Sequence, residues 1–414
     1  MVNDELNMVV PEDWNIKHLD DFGYIVSGGT PSTSVPSYWN GMIPWCTPTD
    51  ITGTEGIIIS KTEKCITEDG LKNSSADVLP SGSLLLCTRA TIGDSKINSI
   101  PMATNQGFKN VIPFKDTCIK YLYYLLQTKK REMLEKATAS TFAEISKSAL
   151  CEIPLQAPEK QEQEQIAQVL FDIDALITDL QKLIQKKKNI RQGTMQMLVT
   201  GKKRLDGFDG NWQTTTLDKL CRLVTKQTGF DYSAEIKPSL VTAPQIGTIP
   251  FIQNKDFEAF DINYNTDFYI PYDVAEKYPK ILLDEVCLLI SISGRIGNVA
   301  VFDNKQTAFA GGAVGIAKLF DPDLASWCML YLSGKDGQEQ IFSNEKVGAQ
   351  HNLTVADVRK LEIRLPEKTE REAIIGMLAD MDDEISLLME KLHKYEKVKK
   401  GMMEELLTGK VRLI

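Results

Sequence analysis

The sequence has few of the residues that build metal centres or thiol-based sites. Among 414 residues there are three histidines, far apart at His18, His351 and His393, and eight cysteines that form no C-x-x-C pair. Zinc sites and redox motifs need such residues at close spacing. We therefore expect no metal site and no disulfide framework, as is typical of a protein from the reducing cytoplasm.

Long hydrophobic runs and cofactor-binding loops are also missing. No apolar stretch approaches the roughly 18 residues that a membrane helix needs, and the acidic start "MVNDELNMVV" is not typical of a secretory signal. The phosphate-binding pattern G-x-x-x-x-G-K-[ST] does not occur. The run nearest to an amino-methyltransferase motif, "DPDL" at Asp321, lacks the second proline and the aromatic residue. The sequence therefore predicts no catalytic residues and no cofactor in this chain.

Positive charge is in short supply as well. The formal net charge is -9, which argues against tight binding to nucleic acid by the chain alone. A basic surplus lies in "KLIQKKKNIRQ" and "GKKR", in the middle of the sequence. A lysine-rich helix face is often simply solvated, so this run alone does not predict a binding site.

The second half of the sequence repeats the first half at an offset of 208 residues. The stretch "LVTGKKRL" at Leu198–Leu205 returns as "LLTGKVRL" at Leu406–Leu413, and about 20 of the 48 positions in 158–205 are identical at this offset. A fainter likeness precedes each of these segments. A period this long indicates a duplication of two domain-sized units rather than a solenoid.

Each repeat ends in a long heptad pattern. The predicted seam residues lie three and four apart: Ile166, Leu170, Ile173, Ile177, Leu180 and Ile184 in the first copy, with Val169, Leu176 and Leu183 widening the stripe, and Ile374, Leu378, Met381, Ile385, Leu388, Leu392 and Tyr395 in the second. A seam this regular favours a partner helix, and helices of about 40 residues would be about 60 Å long. We predict an intramolecular antiparallel coiled coil. The alternative is that each helix packs on its own domain as a core element.

The segments before the two helices predict an α+β fold. Short β-rich runs bounded by turn residues occur at Gly56–Ser60, Leu84–Thr88 and Val286–Ile292, and helical patterns follow near 119–136 and 324–342. The predicted order is a globular domain at 1–157, a long helix at 158–205, a second domain at 206–365 and a second long helix at 366–414. The repeat suggests a pseudo-two-fold arrangement.

Several short motifs, in the same order in both halves, resemble the specificity (S) subunit of type I restriction-modification systems. They are "GGTPS", "YWNGMIPW", "TRATIG", "SGRIG", "NQGF", the helix entries "IPL" and "IRLP", and the "LxTGKxRL" endings. The resemblance covers essentially the whole chain. It implies two target-recognition domains that each read one half of a split DNA sequence, and paired helices that fix their separation.

The resemblance also implies where the chemistry resides. Two methyltransferase (M) subunits and restriction/translocase (R) subunits would be the protein partners, and S-adenosylmethionine, magnesium and ATP would bind only to those partners. The second unit departs from the pattern, because "KQTGFDY" stands in place of "GGTPS" and "AGGAVG" in place of "NQGF". Different half-sites would require such divergence.

Candidate DNA-binding residues lie in the predicted loops. Arg89 and Arg295 each precede an Ile-Gly turn, occupy the same place in the two repeats by the sequence pattern, and suit guanine; Asn105 and Gln106 suit adenine. Thr30 and Ser32 suit phosphate. The remaining candidates are Trp45, Lys109, Gln350, His351 and Asn352. Each of these residues could equally stabilise a turn.

Apolar side chains near the helix ends are candidates for docking partner subunits. They are Phe171, Met195, Met197, Met402 and Met403. Packing within the chain is the competing explanation for all of them.

Two other functions compete with this hypothesis. The chain could be the recognition subunit of a two-subunit methylating endonuclease with a similar split target. From a different class, it could be a coiled-coil scaffold whose globular units bind proteins, an interpretation that the acidic balance favours.

Overall fold

The computed structural model describes residues 11–137, 143–258, 261–343 and 352–413. The chain divides into two compact units. Unit 1 takes the chain up to Gln185 and again from Leu387 onward, and unit 2 is Lys186–Ser386. Each unit therefore contains a part of both long helices. The domain limits at 157/158, 205/206 and 365/366 stay a prediction.

Unit 1 combines three sheets with short helices and the parts of the long helices. Its strands are β1 Asn15–Lys17, β2 Gly23–Ser27, β3 Trp39–Cys46, β4 Ile58–Ile59, β5 Lys64–Ile66, β6 Leu84–Cys87, β7 Ser95–Asn98, β8 Ala103–Thr104, β9 Phe108–Pro113 and β10 Leu155–Ala157. Its helices are α1 Pro48–Gly53, α2 Glu68–Lys72, α3 Ile119–Thr128, α4 Lys130–Glu135, α5 Lys147–Cys151 and the first long helix, α6 Lys160–Val199, which continues into unit 2.

Unit 2 has the corresponding elements. Its strands are β11 Gln213–Thr216, β12 Cys221–Lys226, β13 Thr248–Ile252, β14 Phe257–Glu258, β15 Asp261–Ile262, β16 Tyr269–Pro271, β17 Leu282–Leu283, β18 Cys287–Ser291, β19 Val299–Phe302, β20 Ala308–Ala310, β21 Val314–Leu319 and β22 Glu362–Leu365. Its helices are α7 Leu217–Leu220, α8 Tyr272–Ala275, α9 Leu324–Ser333, α10 Lys335–Ser343, α11 Val355–Arg359 and the second long helix, α12 Lys368–Leu406, which continues into unit 1.

The two units share one strand topology. In unit 1 the main sheet runs β2-β9-β6-β7-β4, and in unit 2 the order β12-β21-β18-β19 repeats its first four strands. A smaller sheet is also repeated in the two units. In unit 1, β3 pairs antiparallel with β5 and parallel with β8, and in unit 2, β13 pairs antiparallel with β16 and parallel with β20. The strand that enters each unit pairs with the strand that precedes the long helix, β1 with β10 and β11 with β22. The predicted α+β class and internal repeat are confirmed.

The two long helices pack against each other along the predicted seam. The six seam residues predicted for α6 are at most 8% exposed, and in α12 Ile374, Leu378 and Ile385 are also buried. Leu176 and Leu183 were expected to widen this stripe, but they are 51% and 39% exposed. They lie a heptad apart, and their positions point outside the seam, so that part of the prediction is wrong.

Charged pairs at equivalent positions show how the helices align. In unit 1, Lys399 of α12 lies 2.6 Å from Asp174 of α6, which also accepts a hydrogen bond from the Tyr124 hydroxyl at 2.8 Å. In unit 2, Arg191 of α6 donates two hydrogen bonds to Asp382 of α12, at 2.9 and 2.7 Å. Early residues of one helix thus meet late residues of the other in each unit, and the pairing is antiparallel, as predicted.

The ends of the long helices also enter the globular cores. Ile166 and Leu170, near the start of α6, belong to the main core of unit 1, and Leu198 near its end belongs to the main core of unit 2. The same holds in reverse for α12, with Ile374 in unit 2 and Leu406 in unit 1. Packing on a domain and pairing with the other helix, which the sequence posed as alternatives, therefore both occur.

The repeated "LxTGKxRL" endings close each unit with an arginine. Arg412 donates to both carboxylate oxygens of Glu162 at 2.7 and 2.8 Å, and Arg204 binds Glu370 in the same way, with one hydrogen bond of 2.7 Å. Glu162 and Glu370 lie in the first turns of α6 and α12, where a carboxylate is favoured by the helix dipole. Each ending therefore holds the start of the opposite long helix.

Candidate nucleic-acid interface

In unit 1, the loop after β2 approaches the loop after β8 too closely for side chains. A Cβ on Gly28 would lie 1.9 Å from the carbonyl oxygen of Asn105, and one on Gly29 would lie 2.3 Å from the amide nitrogen of Ala76. The Gly29 amide donates to Thr104 at 2.9 Å. Gly28 therefore lets the strand ends meet and Gly29 lets the loop pass beside Ala76, which explains the two glycines of the "GGTPS" motif.

This meeting of loops joins two of the predicted site residues. The Thr30 hydroxyl donates a hydrogen bond to the amide oxygen of Gln106, and the Gln106 side chain is exposed. Neighbouring Asn105 is turned inward, since its side-chain oxygen accepts from the Gly107 amide at 2.9 Å. Thr30 and Gln106 form a polar surface pair, whereas the Asn105 carboxamide oxygen helps to shape the loop.

The remaining unit 1 candidates near this loop differ in exposure. Ser32 is exposed, with its hydroxyl 2.8 Å from that of Ser34, and the partly buried Lys109 donates to the Ser27 hydroxyl at 3.1 Å. Trp45 is only 5% exposed, and its indole nitrogen donates to the Gly29 carbonyl oxygen at 2.9 Å. Trp45 therefore supports the loop from below, while Ser32 and Lys109 lie at the surface.

The two Ile-Gly turns have the same backbone conformation, and this fixes which residues correspond. In unit 1, the Gly93 amide donates to the carbonyl of Cys87, and in unit 2 the Gly297 amide donates to that of Ser291. Between these anchors both loops have the same length. Ala90 and Gly294 share a positive φ, of 65° and 73°. The turns can therefore be superposed residue by residue.

Arg89 and Arg295 do not occupy the same position of the turn, contrary to the prediction from the sequence pattern. Arg89 corresponds to Ser293, because each forms an isolated bridge to the segment before the last short helix, Arg89 with Glu144 and Ser293 with Asn352. Arg295 corresponds instead to Thr91. The shared Ile-Gly ending suggested one place for both arginines, but they stand two residues apart on the same turn.

The environments of the two arginines differ accordingly. Arg89 is half-buried and forms an ion pair with Glu144 through its Nε and a terminal nitrogen, the Nε distance being 3.1 Å. Arg295 is exposed, and no described residue forms an ion pair with it. A guanidinium already held by a carboxylate is fixed in direction, whereas Arg295 is available to an external acceptor.

The third group of candidates lies partly outside the described residues. Gln350 and His351 fall there, and only Asn352 is described. The Asn352 bridge to Ser293 places it beside the unit 2 turn.

The five candidate docking residues divide into buried and accessible ones. Met195 is 1% exposed and its sulfur accepts a hydrogen bond from Arg191 at 3.2 Å, so it belongs to the core of unit 2. Met197 is 52% exposed. Phe171, Met402 and Met403 are partly buried against the unit 1 core, and Lys120 lies over the Phe171 ring at 3.9 Å.

Sequence reasoning missed the acidic partners of these basic residues. Glu144, Glu162 and Glu370 are each recognised only by contacts that are distant in sequence. One signal was available for the last two, because Glu162 and Glu370, like Arg204 and Arg412, are related by the repeat offset.

The described residues offer little support for other kinds of site. They contain no group of three or more His, Cys, Asp or Glu side chains arranged to hold a metal ion. Burial raises the pKa of the Cys87 thiol, at the end of β6, to about 12. None of the helices in the described ranges is both long and apolar enough to span a membrane.

The sequence matches a known family model twice. The model, described as the type I restriction modification DNA specificity domain, matches residues 11–192 and 210–399.

Curated relatives share this description. A "Type I restriction enzyme MjaIX specificity subunit" from Methanocaldococcus jannaschii is 42% identical over 175 residues, which are 42% of this chain and 40% of that protein. The EcoR124I/EcoR124II specificity subunit from Escherichia coli is 30% identical over 183 residues, 42% of this chain and 45% of that protein. These two alignments therefore span less than half of each relative. The MjaVIII specificity subunit from M. jannaschii is 24% identical over 98% of this chain and 94% of that protein.

Solved structures share the fold over nearly the whole chain. A crystal structure titled as the type I restriction-modification system S subunit from M. genitalium has a TM-score of 0.55 at 13% identity, covering 97% of both chains. A chain from a study of type I R-M complex assembly has a TM-score of 0.61 at 13% identity, covering 97% of this chain and 99% of that one. At this identity the likeness shows the fold alone.

Proposed function

The chain belongs to the type I restriction modification DNA specificity family, and we propose from this premise that it selects the DNA site at which a methyltransferase acts. Each unit would read one half of a bipartite target in double-stranded DNA. The observation that carries the proposal is the repeat itself: one scaffold occurs twice, with different side chains on the corresponding loops.

Methylation and cleavage of the DNA would be carried out by other subunits. Methyltransferase subunits, two if each unit docks one, would bring S-adenosylmethionine, and restriction/translocase subunits would bring ATP and magnesium. Modifying a base requires taking it out of the duplex, and this chain would contribute recognition and positioning but no catalytic residue. A cytoplasmic location follows from that role.

Within unit 1, Thr30, Gln106, Ser32 and Lys109 are the proposed DNA contacts. Gln106 offers an amide that can bind an adenine edge, and the hydroxyls and Lys109 suit phosphates. Arg89 is proposed as a guanine reader whose direction Glu144 fixes. In unit 2, Arg295 and Asn352 are the corresponding proposals among the described residues. For docking, Met197 is the candidate with the largest accessible surface.

Methylome mapping tests the function directly. The chain is co-expressed with a methyltransferase encoded beside it, and methylated adenines are mapped by long-read sequencing. We expect one bipartite motif with two defined halves and an unread spacer of fixed length. Methylation at a continuous or random set of sites would contradict the proposal.

The same experiment separates this role from that of a scaffold. Without this chain, the methyltransferase should leave the motif unmodified. A pattern that does not depend on the chain would favour the scaffold, a function that only the acidic net charge supports.

A further inference from the structure

The loop that carries Gln106 in unit 1 has a counterpart in unit 2, and so has the strand that leads to Thr30. The Asn105 amide donates to the carbonyl of Cys46, at the end of β3, and the Gly311 amide donates to that of Ile252, at the end of β13. Gly312 therefore takes the place of Gln106. On the facing strand, Ser27 pairs with Lys109 as Lys226 pairs with Gly315.

The pairing of Lys226 with Gly315 identifies the position in unit 2 that corresponds to Thr30. Three residues beyond Ser27 is Thr30, and three residues beyond Lys226 is Gly229. By this register Gly312 and Gly229 stand where unit 1 has Gln106 and Thr30, although Gly229 has a positive φ of 85° and Thr30 does not. A cavity of about 440 Å³ lies beside Gly312, lined by Gln227, Phe230, Tyr232, Phe251, Gln253 and Gly312.

The walls of this cavity are fixed by contacts that do not depend on a ligand. Gln227 donates its amide to the Ala310 carbonyl at 2.9 Å, and Phe251 is only 1% exposed. Phe230 packs against the Tyr278 ring with centroids 4.5 Å apart. Tyr232 is 37% exposed at the opening. The cavity is therefore a preformed recess at a surface loop, with three aromatic residues on one part of its wall and Gln227, Gln253 and Gly312 on the rest.

We propose that this recess in unit 2 reads the 5-methyl group of a thymine in the second half-site, at the place where unit 1 uses the Gln106 amide. This inference rests on the proposed function. An exposed glutamine amide offers hydrogen bonds to an adenine edge, whereas aromatic rings around an open space offer apolar contact to the thymine methyl. The two units thus read different base chemistry with one scaffold.

Gly312→Gln is the decisive variant. A Cβ at Gly312 would meet only the Gln227 side-chain oxygen, at 3.2 Å, and Gly312 does not have a positive φ. The Gln227 side chain must shift by a few tenths of an ångström, and the longer side chain can then enter the recess. With the methyltransferase present, we expect the second half-site to change at one base pair and the first half-site to stay as it is.

Gln106→Gly is the matched variant in unit 1. It removes the amide and should relax one position of the first half-site while leaving the second unchanged. A Gly312→Gln protein that methylates the original motif as efficiently as the parent overturns the proposal, and so does a variant that alters both halves.

A chemical test needs no change to the pocket. Duplexes carrying the mapped motif are made with each thymine of the second half-site replaced in turn by uracil, which lacks only the methyl group. We expect one replacement to weaken binding of the complete complex about fourfold, the effect of losing one buried methyl contact. Equal binding of all the uracil duplexes overturns the proposal.

Tyr232→Ala provides a second test of the recess in case the Gly312→Gln protein does not fold. It opens one wall of the recess, and the complex should then lose its preference for thymine over uracil at the position found above. Retained preference contradicts the proposal. Failure of the parent complex to methylate any bipartite motif would instead reject the proposed function, so the two failures are distinguishable.

Discussion

At the residue scale, buried carboxylates hold the entries to the long helices. The Glu370 side chain is 1% exposed, and it accepts hydrogen bonds from Arg204 and, at 3.0 Å, from the Trp212 indole. A buried charge is costly unless it is paired.

Arg204→Met removes the main partner of Glu370 and leaves that carboxylate without its counter-charge. We expect the free energy of unfolding of unit 2 to fall by about 2 kcal/mol, measured by urea denaturation. Arg131→Met is the control, because the Arg131–Glu135 pair is 92% and 62% exposed, and it should change stability by no more than about 0.5 kcal/mol. Equal losses in both variants would contradict the assignment.

We expect substitutions at the two arginines near the Ile-Gly turns, or at their partners, to change DNA recognition in different ways. Arg295 is exposed and Arg89 is held by Glu144. Arg295→Ala should relax one position of the second half-site, with about a tenfold loss of discrimination there. Glu144→Gln should relax the first half-site while keeping overall affinity, because Arg89 keeps its charge but a neutral amide holds it more weakly than a carboxylate does. Methylation mapping reads both results, and unchanged motifs in both variants would show that neither arginine reads a base.

At the element scale, the helices were more predictable than the loops. Heptad spacing identifies the seam from Ile166 to Ile184 because burial on one face of a helix repeats every three or four residues. No such period shows which residues of two loops correspond. The sequence pattern therefore matched Arg89 with Arg295 by their shared Ile-Gly neighbours, which is two residues out of register. Trp45 and Met195 were candidates for binding because aromatic and sulfur-containing side chains suit both a core and an interface.

Substitutions of two methionines on α6 distinguish a residue that packs in the core from one that is available to dock a partner subunit. Met195→Lys places a charge in the core of unit 2, where Met195 is 1% exposed, and should unfold that unit. Met197→Lys lies at a 52% exposed position and should leave the chain folded. We expect Met197→Lys to reduce recovery of the methyltransferase in a pull-down, with the chain's circular dichroism spectrum unchanged. Full recovery would exclude Met197 from the docking surface.

An insertion in the long helices tests whether they set the spacing between the half-sites. The boundary between the two units falls after Gln185 in α6 and after Ser386 in α12. Four residues added at both points leave the pairs within each unit, such as Arg191 with Asp382, in register, and lengthen each helix by about 6 Å. We expect the unread spacer to grow by one or two base pairs while both half-sites stay the same. The same insertion in α6 alone is the control and should disrupt the pairing of the helices instead. An unchanged spacer in the double insertion would reject the helices as the ruler.

At the scale of the whole molecule, long-range contacts are what the sequence did not show. Arg412 binds Glu162 across 250 residues, and Lys399 meets Asp174. Each contact joins distant parts of the chain and leaves no local periodicity. The repeat, however, helps wherever both residues of a contact recur at the repeat offset, since the contact in one unit then predicts its counterpart in the other, as Arg204 with Glu370 and Arg191 with Asp382 confirm.

The net charge of the whole chain predicts its behaviour on DNA. Affinity for DNA depends largely on neutralising phosphates, and a chain with a net charge of -9 has little surplus to offer. We expect the isolated protein to bind its mapped target weakly at about 150 mM salt and to discriminate poorly against a scrambled duplex. Adding the methyltransferase should restore tight and specific binding, because partner subunits would provide phosphate contacts while the loops of this chain select the bases. Fluorescence anisotropy over a salt series measures both states. A lone chain that binds specifically with nanomolar affinity at that salt concentration would show that this division of labour is wrong.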